Sequence, residues 1–298
     1  MSGSTESLGR KIAGAQDLAA VVRSMKALAA SSIGQYERAV DSLGNYYRTV
    51  ELGVCACLRE TALPLSAPGI GRAPAGAIGA ILFGSDQGLV GRFNEVLVEF
   101  AMRTLGSLPG KTKLIWAVGE RMHALVPDAS RLLSVPASVT DITPLVQEVL
   151  IDMASARERD DVAEIYLFHN QPKPAAIYQP VGKRLLPLDA AWNCRLAALP
   201  WPTKNLPQPI GEVVPTLEAF IREYFFVLLF QACAESLVSE NASRLAAMQR
   251  AEKNIGDIIE SLSGKFRRVR QESIDEELFE VVSGYESLAN RQPRPRQL

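Results

Sequence analysis

The chain has 298 residues and a formal net charge of −1, from 32 Lys plus Arg against 33 Asp plus Glu. Hydrophobic residues make up 47% and charged residues 22%, a balance typical of a folded globular protein, so disorder of the whole chain is excluded. The near-neutral charge argues against a nucleic-acid partner, because phosphate contacts require a basic excess.

Histidine and cysteine usage argues against metal and redox chemistry. The sequence has two histidines, His123 and His169, which excludes a His-rich metal site and disfavours a His-based catalytic pair. The four cysteines show no CxxC spacing, so they indicate neither zinc ligation nor a disulfide scaffold, and they fit a reducing compartment. A redox pair of Cys55 and Cys57 is a minor alternative. We predict no metal and no cofactor.

The sequence shows no membrane-spanning segment. Its richest apolar run, residues 224–230, is far shorter than the ~20 residues that a transmembrane helix needs. Residues 1–11 lack the apolar core of a secretion signal. These observations predict a protein that is soluble or attached peripherally to another component.

The positions of proline divide the chain into segments. Sixteen of the 18 prolines fall between Pro64 and Pro215, and the other two lie near the C-terminus. Because proline breaks the interior of a helix, both ends of the chain are free to form long helices, whereas the middle is not. The predicted segments are an N-terminal helix (1–63), a central domain with connectors (64–215), a C-terminal helix (216–290) and a tail (291–298).

Both predicted terminal helices carry an apolar repeat. Fifteen positions between Leu8 and Cys57, spaced alternately by four and three residues, hold fourteen apolar side chains and one exception, Lys26. A 3.5-residue repeat over about seven heptads predicts a coiled-coil helix, and we call these fifteen positions the seam. A second stripe, from Ile255 to Leu288, has a spacing close to the helical period. We therefore predict that the two helices pack against each other in antiparallel orientation.

The central segment alternates between strand and helix patterns. Short apolar runs predict four strands, at 77–83, 113–118, 163–168 and within 175–188. Helical patterns intervene at about 89–107 and 142–157, and this alternation favours a small sheet with parallel crossovers. The Pro-rich residues 197–215 are predicted to form a surface connector. The predicted fold class is α/β: an antiparallel coiled coil of long terminal helices with an inserted Rossmann-like α/β domain.

A Gly-rich turn follows the first predicted strand and contains Ser85, Asp86, Gly88 and Gly91. Its spacing from Gly84 is GxxxGxxG, which is neither GxGxxG nor a P-loop, and Asp86 would repel a phosphate. A tight strand-to-helix turn capped by Ser85 or Asp86 is therefore favoured over a nucleotide site. No Ser/His/Asp, Cys/His or paired-carboxylate arrangement can be assembled with specificity. The residues by themselves predict a scaffold, shaft or tether rather than an enzyme.

Three stretches agree in order and spacing with one known family. The first is Met25 with the Ala-Ala-Ser run at 29–31, and the second is Ser-Asp-x-Gly-Leu-x-Gly at 85–91. The third extends from Glu235 to Gly284 and includes Glu-Ser-Leu-Val-Ser-Glu at its start. Together these stretches cover nearly the whole chain and resemble the γ subunit of F-type ATP synthases.

The resemblance implies a non-catalytic central stalk, or rotor, that couples ion-driven rotation of a c ring to ATP synthesis or hydrolysis. The implied partners are the α and β subunits of the catalytic hexamer, the ε subunit and the c ring of the membrane sector. The implied location is that of a peripheral membrane protein on the cytoplasmic face of the bacterial inner membrane.

Residues at or beside the family's motif positions are implied to contact the hexamer, although Asp275 stands where the family usually has a small hydroxyl residue. They are Met25, Lys26, Arg244, Arg270, Gln271 and Asp275. Several positions depart from the family's usual pattern, among them Gln87, Val90 and Arg92 in the central turn, and they predict a divergent or alternative bacterial type. From the residues alone two other classes stay open: a coiled-coil tether, and an α/β nucleotide-binding protein with helical arms.

Overall fold

The computed structural model describes residues 2–61, 76–108, 113–126, 128–159, 162–174, 176–188, 190–205 and 207–289. In chain order the elements are α1 (Ser2–Thr61), β1 (Ala77–Phe83), α2 (Phe93–Gly106), β2 (Lys113–Val118), α3 (Glu120–Leu125), β3 (Arg131–Leu133), a 3-10 turn (Val139–Asp141), α4 (Ile142–Arg159), β4 (Val162–Lys173), β5 (Ala176–Leu186), α5 (Ala190–Ala197) and α6 (Val213–Ala289). The predicted tail at 291–298 and the predicted boundary at 63/64 lie outside the described residues.

The described residues divide into two compact units. The first unit consists of α1 up to Ala27 and α6 from Met248 onwards. The second unit contains the described residues from Leu28 to Ala247, and therefore the sheet together with the remaining parts of α1 and α6. The segments predicted from proline do not coincide with these units, because α1 and α6 each contribute to both.

The predicted N-terminal helix is confirmed, and so is its seam. α1 runs for 60 residues without a proline. None of the fifteen seam positions is exposed, and those with the least exposure include Ala29, Val50 and Val54. Most of the stability of a long helix comes from packing of such an apolar face rather than from intrinsic propensity, so the seam accounts for the length of α1.

Within the first unit the two helices pack in antiparallel orientation, as predicted. Near the start of α1, Gly9 faces the ring of Phe266. Seventeen residues further along α1, Lys26 Nζ lies 2.5 Å from Glu252 Oε2, so α6 advances in the opposite direction.

Within the second unit the same antiparallel order holds. Tyr46 donates a hydrogen bond from its hydroxyl to Glu223 Oε2 at 2.8 Å, and the Tyr47 and Tyr224 rings stack with centroids 5.8 Å apart. Further along α1, Cys57 belongs to a small cluster with Leu217 of α6. Aromatic contacts and apolar burial together hold this part of the pair.

The prediction for the apolar stripe of the C-terminal helix was wrong at Ile258, which is 51% exposed, and at its described members beyond Val269. Ile274, Leu278, Val281 and Tyr285 are 48% to 74% exposed, and every described side chain from Ile274 to Ser287 is exposed. The described part of α1 is too short to reach this end of α6. It begins at Ser2, and Gly9, only seven residues later, already lies against Phe266. The described part of α1 therefore leaves this end of α6 uncovered.

α6 begins at Val213, three residues before the predicted start, and includes Pro215. α4 likewise contains Pro144 in its first turn. Proline is tolerated there because the amides of a helix's first turn have no acceptor within the helix. No helix within the described ranges has an apolar stretch long enough to cross a membrane.

The sheet has the strand order β3-β2-β1-β4-β5. β1 pairs in parallel with β2 and β4, β2 pairs in parallel with β3, and only β5 runs antiparallel to its neighbour β4. The strands β1 and β2 have the predicted bounds, whereas β4 extends to 12 residues. The predicted α/β fold with parallel crossovers is confirmed, with one antiparallel strand added.

Helices cover both faces of the sheet, and successive side chains of β1 point to opposite faces. Ile78, Ala80 and Leu82 pack in a core with residues of α2 and α3. Ile81 and Phe83 belong to the larger core on the opposite face, which includes residues of α4 and α6. A strand that is buried on both faces has a continuous run of apolar residues in its sequence, as β1 does.

Gly79→Ala is expected to destabilise the chain by about 1–3 kcal/mol, because a core without room must distort to accept a methyl group. A Cβ at Gly79 would lie 2.6 Å from Cζ3 of the buried Trp116. The control is Gly44→Ala on α1, where no atom lies within 4 Å, and it should stabilise by about 0.5–1 kcal/mol. Urea denaturation followed by far-UV circular dichroism measures both effects. Equal midpoints for the two variants would contradict the packing argument.

Candidate functional site

The Gly-rich turn between β1 and α2 is held by hydrogen bonds between Ser85 and Asn94. The Ser85 amide donates to Asn94 Oδ1 at 3.0 Å, and the Asn94 side-chain amide donates to Ser85 Oγ at 2.8 Å, with both residues buried. Gly91 has a φ of +63°, a conformation that glycine adopts without steric cost, and Gly88 lies beside the Arg121 guanidinium. The turn delays the start of α2 to Phe93, four residues later than predicted.

Asp86 ties this turn to two later segments. Its Oδ1 accepts a hydrogen bond from the Glu120 amide at the start of α3 (2.9 Å), and its Oδ2 accepts one from the Val135 amide (3.2 Å). Gly119 permits the approach, because a Cβ there would lie 2.6 Å from the Ser85 carbonyl oxygen. The prediction that Ser85 or Asp86 caps the helix after the turn was wrong for α2, whose first turn has no side-chain cap. Asp86 instead caps α3, which the sequence analysis did not detect.

α6 crosses the sheet at the crevice between β1 and β4. The strand order reverses between these two strands, and parallel α/β sheets usually bind their ligands at such a point. Here Ser236 Oγ donates to the Phe83 carbonyl at 3.1 Å, and Ser239 Oγ donates to the Asn170 carbonyl at 2.9 Å. The Asn170 side chain in turn donates to the Phe93 carbonyl at 2.9 Å. Side chains of the protein's own helix therefore fill the place that a ligand would take.

Glu235 and His169 form a buried pair beside this crevice. Their Oε2 and Nε2 atoms lie 2.9 Å apart, and Gln231 donates to the other carboxylate oxygen at 2.8 Å. Burial tends to raise the pKa of Glu235, but the hydrogen bonds from His169 and Gln231 outweigh it and lower that pKa below its usual value. The carboxylate form is thus part of the folded structure.

Glu240 and Arg244 form a second pair one turn further along α6. Arg244 donates to Glu240 Oε1 at 2.6 Å and to Asn241 Oδ1 at 3.4 Å, and its side chain is only 12% exposed. Burial is the largest influence on Glu240 and raises its pKa, although the Arg244 charge opposes the shift. The structure therefore places the predicted hexamer contact Arg244 in a network within its own helix.

The other predicted contact residues lie within the first unit. Lys26 is half-buried and pairs with Glu252, and the adjacent Met25 is also half-buried. Arg270 is exposed, as are Gln271 and Asp275, whose side chains are joined by a 2.9 Å hydrogen bond from the amide to the carboxylate. Gln271 and Asp275 are thus joined on the exposed surface of α6, and Arg270 is the residue next to Gln271 in sequence.

Candidate metal ligands and the pair Cys55 and Cys57 can be examined in the described part of the chain. No group of three or more His, Cys, Asp or Glu side chains in it could hold a metal ion. Cys55 and Cys57 are buried and lie two positions apart on α1, a spacing at which helical side chains do not face each other. Burial raises the pKa of the Cys57 thiol, which disfavours the reactive thiolate.

Asp86→Ala is expected to destabilise the chain by about 1–2 kcal/mol, because the Glu120 and Val135 amides lose their acceptor. Asp86→Asn retains one acceptor oxygen and should be affected less. Asp128→Ala, at an exposed position, is the matched control and should change the unfolding free energy very little. Urea denaturation of the three variants measures their unfolding free energies. An Asp86→Ala variant as stable as the Asp128→Ala control would show that the two hydrogen bonds to Asp86 contribute little to stability.

Acid should remove the contribution of Glu235 to stability. Because the folded pKa lies below the ordinary value of 4.5, this contribution is present above pH 4.5 and is lost as the pH falls through the folded pKa. Glu235→Gln should therefore cost about 1–2 kcal/mol at neutral pH and progressively less below pH 4.5.

Glu240 provides the opposite sign in the same titration. Its raised folded pKa means that its contribution falls as the pH rises above the ordinary value of 4.5. The free energy of unfolding of the wild type should thus rise relative to that of Glu240→Gln as the pH is lowered. Urea midpoints measured between pH 3.5 and 7 for both variants test the two signs, and parallel curves would contradict them.

Comparison with known proteins places these features in a family. A family model described as ATP synthase matches residues 4–288. The ATP synthase γ chain of Syntrophus aciditrophicus is 27% identical over 290 residues, which cover 94% of this chain and 97% of that one. The γ chain of Rhizorhabdus wittichii is 30% identical over 217 residues, covering 68% and 71%.

A solved structure agrees in fold. The rotor of the Euglena gracilis mitochondrial ATP synthase, in rotational state 1, matches with a TM-score of 0.60 at 15% identity and covers 92% of this chain and 100% of that chain. At this identity the likeness concerns the fold, and it includes the sheet as well as the long helices. The family match over nearly the whole chain carries the assignment: the chain belongs to the ATP synthase γ chain family.

Proposed function

We propose that this chain is the non-catalytic central-stalk, or rotor, subunit of an F-type ATP synthase, and that it couples ion-driven c-ring rotation to ATP synthesis or hydrolysis. The observation that carries the proposal is the exposed end of α6. Its large apolar side chains, which no described residue covers, are Ile274, Leu278, Phe279, Val281, Val282 and Tyr285. Exposed apolar surface of this extent is typical of a site that another protein covers.

We propose that the hexamer of α and β subunits buries this exposed end of α6. Met25, Lys26, Arg244, Arg270, Gln271 and Asp275 are the proposed contact residues. Exposed polar contacts contribute only about 0–1 kcal/mol each, so such contacts can form and break during rotation. Arg270 and Gln271 suit this role because they are exposed, whereas Arg244 would first have to leave Glu240 and Asn241.

The absence of catalysis is part of the proposal, and the geometry of the sheet supports it. Asp86 stands in the Gly-rich turn, where its carboxylate would repel a phosphate, and it accepts hydrogen bonds from the Glu120 and Val135 amides. The crevice between β1 and β4 is filled by Ser236 and Ser239 of α6. Nucleotide binding is therefore assigned to the hexamer and not to this chain.

The remaining partners and the location follow from the same proposal. The Euglena gracilis structure is described as a rotor, and a Tetrahymena thermophila structure with a TM-score of 0.55 is described as a central stalk with a c ring. We assign this chain the ε subunit and a c ring as partners. It is then a peripheral membrane protein on the cytoplasmic face of the bacterial inner membrane.

Co-expression with the α and β subunits of the same organism tests the proposal. The purified complex is weighed by native mass spectrometry and its ATP hydrolysis is measured. One copy of this chain with three α and three β subunits, and loss of activity when the chain is omitted, is the expected result. A complete α/β complex that leaves this chain outside would overturn the rotor assignment in favour of a tether.

Replacing Arg270 and Gln271 together with Ala is expected to lower coupled turnover about two- to fivefold while the complex still assembles, because each exposed contact contributes about 0–1 kcal/mol. The matched control replaces Gln147 and Arg157, an exposed Gln and Arg on α4, and should leave turnover unchanged. Turnover is measured as ATP hydrolysis together with ATP-driven membrane potential in inverted vesicles. Equal effects of the two double variants would count against the contact role.

A further inference from the structure

Lys26 is the one charged residue in the seam, and its side chain has a specific partner. Its Nζ lies 2.5 Å from Glu252 Oε2, and the two side chains are 35% and 31% exposed. The pair joins α1 to α6 within the first unit. It therefore differs from the i,i+4 pair of Arg10 and Glu6, which lies along a single helix and is largely exposed.

The seam around Lys26 is weak in apolar contacts. Two of the buried seam residues near Lys26, Ala19 seven positions before it and Ala29 three positions after it, carry only a methyl group each. Hydrophobic stabilisation scales with the apolar area removed from water, so small side chains fix the relative position of two helices poorly. Apolar contacts are also non-directional, and a seam that repeats every seven residues can slide by one heptad and remain apolar.

An ion pair opposes such a slide because it exists in one register only. Seven residues away from Glu252 along α6 stand Leu245 on one side and Ile259 on the other. In either shifted register the ammonium group of Lys26 would face an apolar side chain and lose its partner. A polar group at one seam position is known to specify register in this way, at some cost in stability.

A second contact supports the same register. The ring of Phe266 lies against Gly9, with its Cε2 4.0 Å from the position of a Cβ at Gly9. The shallow groove there is lined by Thr5, Glu6, Arg10 and these two residues. One heptad from Gly9 in either direction stand Ser2 and Gln16, so the ring meets a position without a side chain in the observed register only.

We propose that the Lys26–Glu252 ion pair is the register lock of the two shaft helices, and that Lys26 affects rotary coupling by holding α1 against α6. The inference rests on the proposed rotor function and goes beyond it, because it assigns Lys26 a partner in its own chain. Torque on a two-stranded coil tends to slide one helix along the other. A lock at Lys26 opposes that slide where the apolar seam is weakest.

A charge-swap cycle in the complete ATP synthase tests the proposal. The variants are Lys26→Glu, Glu252→Lys and the double variant with both changes, each in inverted membrane vesicles. ATP hydrolysis and ATP-driven membrane potential are measured on the same vesicles, and subunit stoichiometry is determined on the purified complexes. Each single reversal places like charges together and should lower the potential generated per ATP hydrolysed by roughly two- to tenfold, whereas the double swap should restore most of it.

The matched control is Glu99→Lys, which reverses one partner of the exposed Arg92–Glu99 pair (2.7 Å) on the second unit. It should leave the potential per ATP unchanged. High salt should reduce the difference between the wild type and the single variants, because a pair that is a third exposed is screened.

Two outcomes overturn the register lock. If the double swap couples no better than the single variants, Lys26 acts on another subunit and not through Glu252. If all variants couple like the wild type, the pair has no role in coupling. Both outcomes leave the rotor function intact, since that function fails only when this chain is missing from the complexes whose stoichiometry is measured.

Discussion

The apolar seam of α1 is the constraint on which the other features of the molecule depend. A helix of 60 residues cannot bury its own apolar face, and it gains stability only when another element covers that face. In each unit the cover comes from α6, through Phe266 and Ile255 in the first and through Tyr224 in the second. The stability of α1 therefore depends on its contacts with α6 in both units.

α6 is one uninterrupted helix with very different surroundings along its length. Between Tyr224 and Ser243 nearly every side chain is buried or half-buried, because this part lies against α1 and the sheet at once. A helix that is covered on most sides has no single apolar stripe, and its polar residues must find partners. Glu235, Ser236 and Ser239 find them in His169 and in the carbonyls of Phe83 and Asn170. Beyond Ile274 the same helix is exposed on every described side.

Much of the fold could be predicted from the sequence because its signals are long and periodic. The seam extends over seven heptads, and the strands β1 and β2 are continuous apolar runs with clear ends. The strand β3 and the helices α3 and α5 are three to eight residues long, too short to show a period. The hydrogen bonds of His169 and Asn170 were not predicted, since their partners, Glu235 and the Phe93 carbonyl, are 66 and 77 residues away in sequence.

The filled crevice explains how a fold that commonly binds nucleotides can serve as a mechanical part. In an open α/β sheet the reversal of strand order leaves a cleft with free backbone groups, and a ligand satisfies them. Here Ser236 and Ser239 satisfy them instead, and the carboxylate of Glu235 remains ionised because His169 and Gln231 stabilise it. Each of these hydrogen bonds exists in one placement of α6 only, whereas the apolar contacts around them would tolerate several. Apolar burial thus provides the strength of the attachment, and the buried polar groups determine its position, as Lys26 and Glu252 do between the two shaft helices.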